Sequence, residues 1–463
     1  MCCILGTTLE KSNEEMDYEI YNISWYNLSV PQQKVVRLML MQSQQPNQIM
    51  LAGVLPLSVA TSLQVLATFT NTGIMKSTER LPSEYLAKLI RTQRICATFV
   101  GADFADPNYR FNWVTAIIVV TIFSYFFLNI LTVIKLNSWL FLLEAFCMSG
   151  SAITGGSKLI IGLVYRKQLA KMNKLIENIF KEYEKKGEKY SAALHESCEQ
   201  IRKFFIIVGL SFVLPCGIIV VVPFILQSIH GRRFLIMHFH IPGIDVETDF
   251  GYYLTNFSHC VCMYVGAFGL YAGDMIMILF LSQPFLYVDI LKLKICEFNE
   301  KVGDVKVMSS MSSNLSLNDI VLWNQFYANY TKSCNTIFQS AVTIQVFTSA
   351  LSILLTLFIV FTSSWHGAYP YLLITVTHLN IYCFMGTKIE IANENFTAEI
   401  YNILWYKLTT TQQKIVLLML MQSQNPNTIL VAGVMPLSVS TGLQITKAVY
   451  SFLMVMLQSM NKK

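Results

Sequence analysis

The 463-residue sequence is 54% hydrophobic, 13% aromatic and only 13% charged, with a formal net charge of +6. A soluble globular domain carries about twice that charged fraction, and several apolar runs reach the ~20 residues that a helix needs to cross a bilayer. The composition excludes a soluble domain and predicts a polytopic α-helical membrane protein; its basic excess marks cytoplasmic loops and does not point to nucleic acid.

The chain opens with Met1-Cys2-Cys3-Ile4-Leu5-Gly6, which lacks the basic start and apolar core of a signal peptide. A stretch at Glu19–Pro56, containing Glu-Ile-Tyr-Asn-Ile-Ser-Trp-Tyr and Leu-Met-Leu-Met-Gln-Ser-Gln, recurs at Glu399–Pro436 at a constant offset and without a gap. The first apolar span expected is Trp113–Ile134, ended by Lys135, and the second is Trp139–Val164. Residues 165–203 are a charged segment with Glu interleaved among Lys and Arg at helical spacing, as on a solvated helix face.

The third span, Phe204–Ser228, is expected to bend at Pro215 and Gly217. A loop rich in His, Phe and Pro follows, with His230, His238, His240 and Pro242. The fourth span, Tyr253–Gln283, carries Asp274, and a helical segment from Pro284 to Cys334 has a Ser/Met-rich break at Met308–Ser316. Spans at Ser340–Ser363 and Tyr369–Met385 flank a short turn. A helix at Thr409–Gln424 opens with a capping box, Thr409-x-x-Gln412, matched by Ser29-x-x-Gln32 in the first copy, and Asn425-Pro426-Asn427 stops it. The last span runs over Thr428–Ser459.

Seven spans give a parity that charge tests. Lys76–Arg110 and the connections 165–203, 284–339 and 386–427 hold most Lys and Arg, whereas the other side has Lys135, Arg232, Arg233, Lys462 and Lys463. The N-terminus is then cytoplasmic and the C-terminus extracellular. Asn256-Phe-Ser is the sequon expected outside; Asn314, Asn329 and Asn395 face the cytosol and stay bare.

Lys158-Leu-Ile-Ile with Arg166-Lys167-Gln-Leu, Gly273-Asp274, Ile337-Phe338 and Gln345-Val346-Phe347 resemble the insect odorant receptor family. The closing series is the most specific part: Tyr401-Asn-Ile-Leu-Trp405-Tyr406, Leu418-Met-Leu-Met-Gln-Ser-Gln, Ala432-Gly433, Pro436-Leu437-Ser438 and Tyr450-Ser451. The resemblance covers residues 75–463, with one departure at Gln283, where many members have His. It implies an all-α membrane protein of seven helices with an intracellular helical anchor domain. It further implies a cation channel opened by small volatile odorants, in which a tuned subunit assembles with a common co-receptor into a tetramer in the plasma membrane of olfactory neurons. The last helix is implied to line the pore, with Val455 as gate and Gln458 as a pore-lining polar group; Ser459 lies one turn from Val455.

The anchor candidates are Trp405 and Tyr406, with Ile415, Leu418, Met419 and Gln422 as one face of the Thr409–Gln424 helix. An odorant pocket should be aromatic and aliphatic with few polar handles, and the candidates are Phe146, Met148, Phe212, Cys216, Met263, Tyr264, Phe268, His378 and Tyr382. Glu144 and Asp274 are ionisable within spans, where such residues usually pair or function; Lys158 is a partner for either. No catalytic constellation, metal spacing or cofactor motif is visible, and the eleven cysteines are scattered as buried thiols.

Similarity between the two copies ends after Gln64-Val65, and Met75-Lys76-Ser77 resembles an ordinary receptor start. Residues 1–74 are therefore expected to be a partial duplicate of a receptor tail, joined either by a gene-model fusion or by genuine readthrough. If it inserts, Ile49–Phe69 would be an eighth span. A gustatory-type chemoreceptor is the nearer alternative. A G-protein-coupled receptor is opposed by the charge distribution and by the absence of Asp-Arg-Tyr and Asn-Pro-x-x-Tyr motifs.

Overall fold

The computed structural model describes residues 81–463 except 102, 104–111, 137–138, 238, 304–309, 364, 425–427 and 462–463, together with Met50–Leu51 and Leu55–Pro56. Contacts divide the chain into two compact units, Met1–Thr78 and Glu79–Lys463. In the first, β1 (Met50–Leu51) pairs antiparallel with β2 (Leu55–Pro56). These four residues are extended where the conditional eighth span would be helical; its remaining residues, and Ser29 and Gln32, lie outside the described residues.

The second unit is a helical bundle. Helix α1 (Pro82–Phe99) precedes α2 (Trp113–Leu136) and α3 (Trp139–Tyr183). The second span and the first part of the charged segment are thus one helix to Tyr183; a turn then leads to Gly187, whose φ of 148° is open to glycine, and the rest of the segment opens the next helix. Helix α4 (Glu188–His230) stays helical through Pro215 and Pro223, both buried; spans tolerate proline where neighbouring helices enclose the freed backbone groups. Helix α5 (Asp249–Leu281) is capped by Thr248, whose Oγ1 accepts from Gly251 N at 3.1 Å. A break at Ser282, where Pro284 removes a backbone donor, starts α6 (Gln283–Gly303).

Helix α7 (Ser310–Thr362) joins the expected fifth span to the segment before it in 53 residues, and α8 (Ala368–Tyr401) extends the sixth span by several turns. The expected break at Met308–Ser316 is helical from Ser310; Met308 and Ser309 lie outside the described residues. A 3-10 turn, Trp405–Lys407, leads to α9 (Thr410–Ser423), which has its capping box: Thr409 N donates to Gln412 Oε1 at 3.0 Å. The stop triplet 425–427 lies outside the described residues.

The last span expected over 428–459 is corrected. Leu430–Val431 (β3) and Met435–Pro436 (β4) form an antiparallel hairpin, and only then does α10 (Val439–Asn461) begin. Ala432 and Gly433, at φ 53° and 72°, take left-handed conformations that interrupt a helix. The register Leu430↔Pro436, Val431↔Met435 repeats that of Met50↔Pro56, Leu51↔Leu55, so both copies of the repeated wording fold the same hairpin.

Six helical stretches have the length and hydropathy to cross a membrane: 113–135, 141–183, 188–230, 249–303, 317–362 and 368–407. Helix α10 is the seventh, its apolar run diluted by Gln444, Lys447, Ser451 and Gln458. The helices α3 and α7 form the most extensively packed pair; Gly150 permits their close approach, since a Cβ there would strike Ser352. At the end of the bundle carrying α9, Tyr287, Trp323, Phe326 and Tyr330 interlock, with Trp323 Nε1 donating to the Tyr287 carbonyl at 2.9 Å. Tyr327 stacks on Phe396 at 3.9 Å between ring centroids and donates to Asn393 Oδ1 at 2.7 Å. These rings are continuous with the hydrophobic core of the spans.

Candidate functional site

Between α2, α3, α4 and α5, with contributions from α1, α7 and α8, lies an apolar cavity of about 180 Å³. A 150 Å³ apolar cavity holds benzene, so this one fits a compact ring or short chain. Of the sequence candidates, Met148, Phe212, Cys216 and Met263 line it. His378 borders an adjoining recess with Phe212, ring centroids 4.1 Å apart, and its Nε2 pairs with Ser211 Oγ at 3.1 Å.

Phe146, Tyr264 and Phe268 do not join them. Each is at least 45% exposed on the outer surface of the bundle. The reason is helical phase: two residues turn a side chain about 200°, so Phe146 faces away from Met148. Tyr264 and Phe268 share a stripe about 100–140° from Met263.

Sequence reasoning missed several lining residues. The end of α1 contributes Ala97 and Val100, although that segment reads only as charged. Tyr371 of α8 reaches across to α3, where its OH donates to the Cys147 carbonyl at 3.0 Å and pairs with Ser151 Oγ at 2.8 Å. Gly155, Gly162, Gly266, Gly269 and Gly273 also line the cavity, and that run of glycines in two apolar spans was the signal available.

Near the cavity, Lys158 of α3 is salt-bridged to Asp274 of α5, which resolves its pairing. Tyr382 OH donates to the same carboxylate oxygen, and the Lys158 ammonium lies 5.3 Å from the Tyr382 ring centroid. His378 Nδ1 is 3.5 Å from the other oxygen. Glu144 instead accepts from Ser363 Oγ at 2.5 Å. Tyr382 is thus a brace beneath the cavity and is absent from its lining. Among the described residues no group of three or more His, Cys, Asp or Glu is placed to hold a metal.

The family profile described as 7tm Odorant receptor matches residues 1–69 and 138–450. The chain belongs to the 7tm odorant receptor family. Drosophila melanogaster "Putative odorant receptor 83c" is 27% identical over 394 residues, covering 82% of this chain and 99% of the relative. The structure is similar to that of olfactory receptor OR5 from Machilis hrabei in complex with eugenol, at a TM-score of 0.65 and 12% identity, covering 81% of this receptor and 99% of the other chain. A second structure of the Machilis receptor gives a TM-score of 0.63 over the same share. At that identity the likeness speaks for the fold alone.

In this odorant receptor α10 buries Thr441, Val449 and Leu453. Gln444, Lys447, Ser451, Val455, Gln458 and Ser459 are exposed on the outside of the protomer, Val455 at 64%. Helix α9 buries Gln412, Val416 and Met419 at helical spacing, and Ile415 packs against the same core. Leu418 does not share that face: it is 65% exposed against 3% for Met419. Gln422 accepts from Asn324 Nδ2 of α7 at 3.2 Å, which fixes α9 to α7. Trp405 and Tyr406 are exposed and packed edge to face, their centroids 6.0 Å apart. With Leu417, Leu418 and Met421 they leave an apolar outward face at this end.

Proposed function

We propose that this odorant receptor, a multi-pass membrane protein and subunit of a ligand-gated channel, is the tuned subunit that carries the odorant site in the apolar cavity. One observation carries the reading. Helix α8 lines the cavity through Tyr371 and Ile374, and packs Gly386 against Leu437 at the entry to α10. A ligand that fits one arrangement of the cavity better than another shifts the population of states by its differential affinity, and α8 delivers that shift to α10. Dilation of an apolar ring around Val455 restores hydration to the pore, with Gln458 and Ser459 beside it. That a structurally similar receptor holds eugenol supports a small organic ligand.

The partner is a co-receptor subunit in a heterotetramer, docked through the outward apolar face of Trp405, Tyr406 and Leu418, in the plasma membrane of olfactory sensory neurons. Met419, Ile415 and Gln422 support that face from within. The α9 end is cytoplasmic, because the Lys-rich ends of α3 and α4 lie there. Asn329 and Asn395 are exposed at this end and stay bare if it faces the cytosol. Asn256 is buried and its Oδ1 accepts from Ile236 N at 3.1 Å, so this sequon is closed to glycosylation. Expressing the full chain with and without the co-receptor and recording odorant-evoked current tests the whole reading; a flat response in both arms across a broad panel would contradict it.

Residues 1–74 are read as a partial duplicate of a receptor tail. The shared hairpin register and the family match over 1–69 support this. A transcript or peptide spanning Thr70–Lys76 would rule out an artefactual join.

A further inference from the structure

We infer that Lys158 sets the ligand class of the cavity: a compact, largely apolar molecule bearing one neutral oxygen that accepts a hydrogen bond, such as a ketone, aldehyde or ester. The inference rests on the reading of the cavity as the odorant site and names the chemistry of its polar end.

Lys158 lines the cavity and is 8% exposed, and its neighbours there are otherwise apolar carbon and sulfur side chains, apart from Thr121, Tyr125, Ser151 and Tyr371. Three of those four are committed elsewhere: Thr121 Oγ1 donates to the Ile117 carbonyl at 2.9 Å, Tyr371 and Ser151 bond each other, and Tyr371 also holds the Cys147 carbonyl. An ammonium has three donors, and the hydrogen bond recorded for Lys158 among the described residues is to Asp274 Oδ1. The other carboxylate oxygen, Asp274 Oδ2, is buried without a hydrogen bond. The pair is therefore underfilled on both sides, a costly arrangement in a low-dielectric interior.

The geometry decides which side a ligand meets. Lys158 belongs to the cavity wall and Asp274 does not. An incoming molecule consequently meets donors, which select an acceptor over an amine. A carboxylate would have to shed its hydration to meet an ammonium whose charge Asp274 already balances, whereas a neutral carbonyl gives up far less. Gly273 shapes the same spot. A Cβ there would lie 2.8 Å from Lys158 Cδ and 3.2 Å from its Cβ, so the missing side chain is the space through which the lysine stem reaches the cavity.

The test measures ligand-dependent thermal stabilisation of the full-length receptor in lipid nanodiscs. The probes are ketones paired with methylene isosteres of the same shape: acetophenone with α-methylstyrene, and 2-heptanone with 2-methyl-1-heptene. In the wild type the ketone of a stabilising pair should bind about tenfold more tightly, about 1.4 kcal/mol. Lys158→Met with Asp274→Met removes the pair as a unit and leaves no unpaired charge; the preference should vanish while both probes still bind. Should that variant not fold, Gly273→Ala keeps every charge and displaces the lysine stem, and should lower ketone affinity alone. Equal binding of both members in the wild type overturns the inference, as does a ketone preference that survives in the variants. Cys216→Phe, which fills the cavity, separates the underlying reading. If neither class stabilises the wild type, or both stabilise it and the filled variant alike, the cavity is not the ligand site and the inference falls with it.

Discussion

Gly386 of α8 faces Leu437 so closely that a Cβ on the glycine would overlap the Leu437 carbonyl. One turn earlier on α8 is Tyr382, which holds Asp274, and one residue after Leu437 is Ser438, whose side chain pairs with Ser440 and Thr441 at the start of α10. A single rigid helix therefore touches both the cavity brace and the root of the last helix. Gly386→Ala should cost about 1–3 kcal/mol through overpacking and uncouple the two ends. Ligand-induced thermal stabilisation should persist while evoked current falls at least tenfold; unchanged current would refute the coupling.

Val455 is exposed on α10 in the protomer, so substituting it should change stability within about 0.5 kcal/mol. If it forms an apolar constriction, Val455→Ser should raise the resting current several-fold by easing hydration. Resting currents of the two proteins at equal surface expression decide the matter, and equal values would make Val455 a packing residue.

The capping box of α9 predicts a local effect. Thr409→Ala removes the acceptor for Gln412 N and should weaken the first turn by about 1 kcal/mol. Amide exchange at residues 411–414 should accelerate roughly fivefold, and Thr409→Ser should restore it.

The 231–248 loop carries a pH prediction. Burial lowers the His240 pKa from its ordinary value, and Lys135 pushes the same way. The folded loop thus holds neutral imidazole, and its contribution is complete above the unfolded pKa of about 6.5. It is lost as the pH falls through the lower folded value. Exchange in this loop, corrected for intrinsic rates, should rise between about pH 7.5 and about pH 5.5. His240→Gln should not show the rise.

Period and punctuation made much of this fold legible. Thr409 and Gln412 announce a helix start by local hydrogen bonding, and the apolar runs announce spans, since both signals are carried by near neighbours in the chain. Helical phase was harder. Met148 and Phe146 are equally apolar, and only the position of α4 and α5 decides which one faces inward. The hairpin before α10 hid because Leu430, Val431 and Met435 are as apolar as a span, although Gly433 marked the turn. The partner of Lys158 was out of reach, as Glu144 and Asp274 differ only in where distant helices bring them.

The glycines on the cavity wall have a consequence for how such a receptor diversifies. Gly155, Gly162, Gly266, Gly269 and Gly273 are each a place where one codon change adds bulk at the lumen. None of them belongs to α9, β3, β4 or α10. On the proposed reading, repertoire and machinery are thus written in separate parts of the gene, and selection can rework the molecules admitted while leaving α9 and α10 untouched.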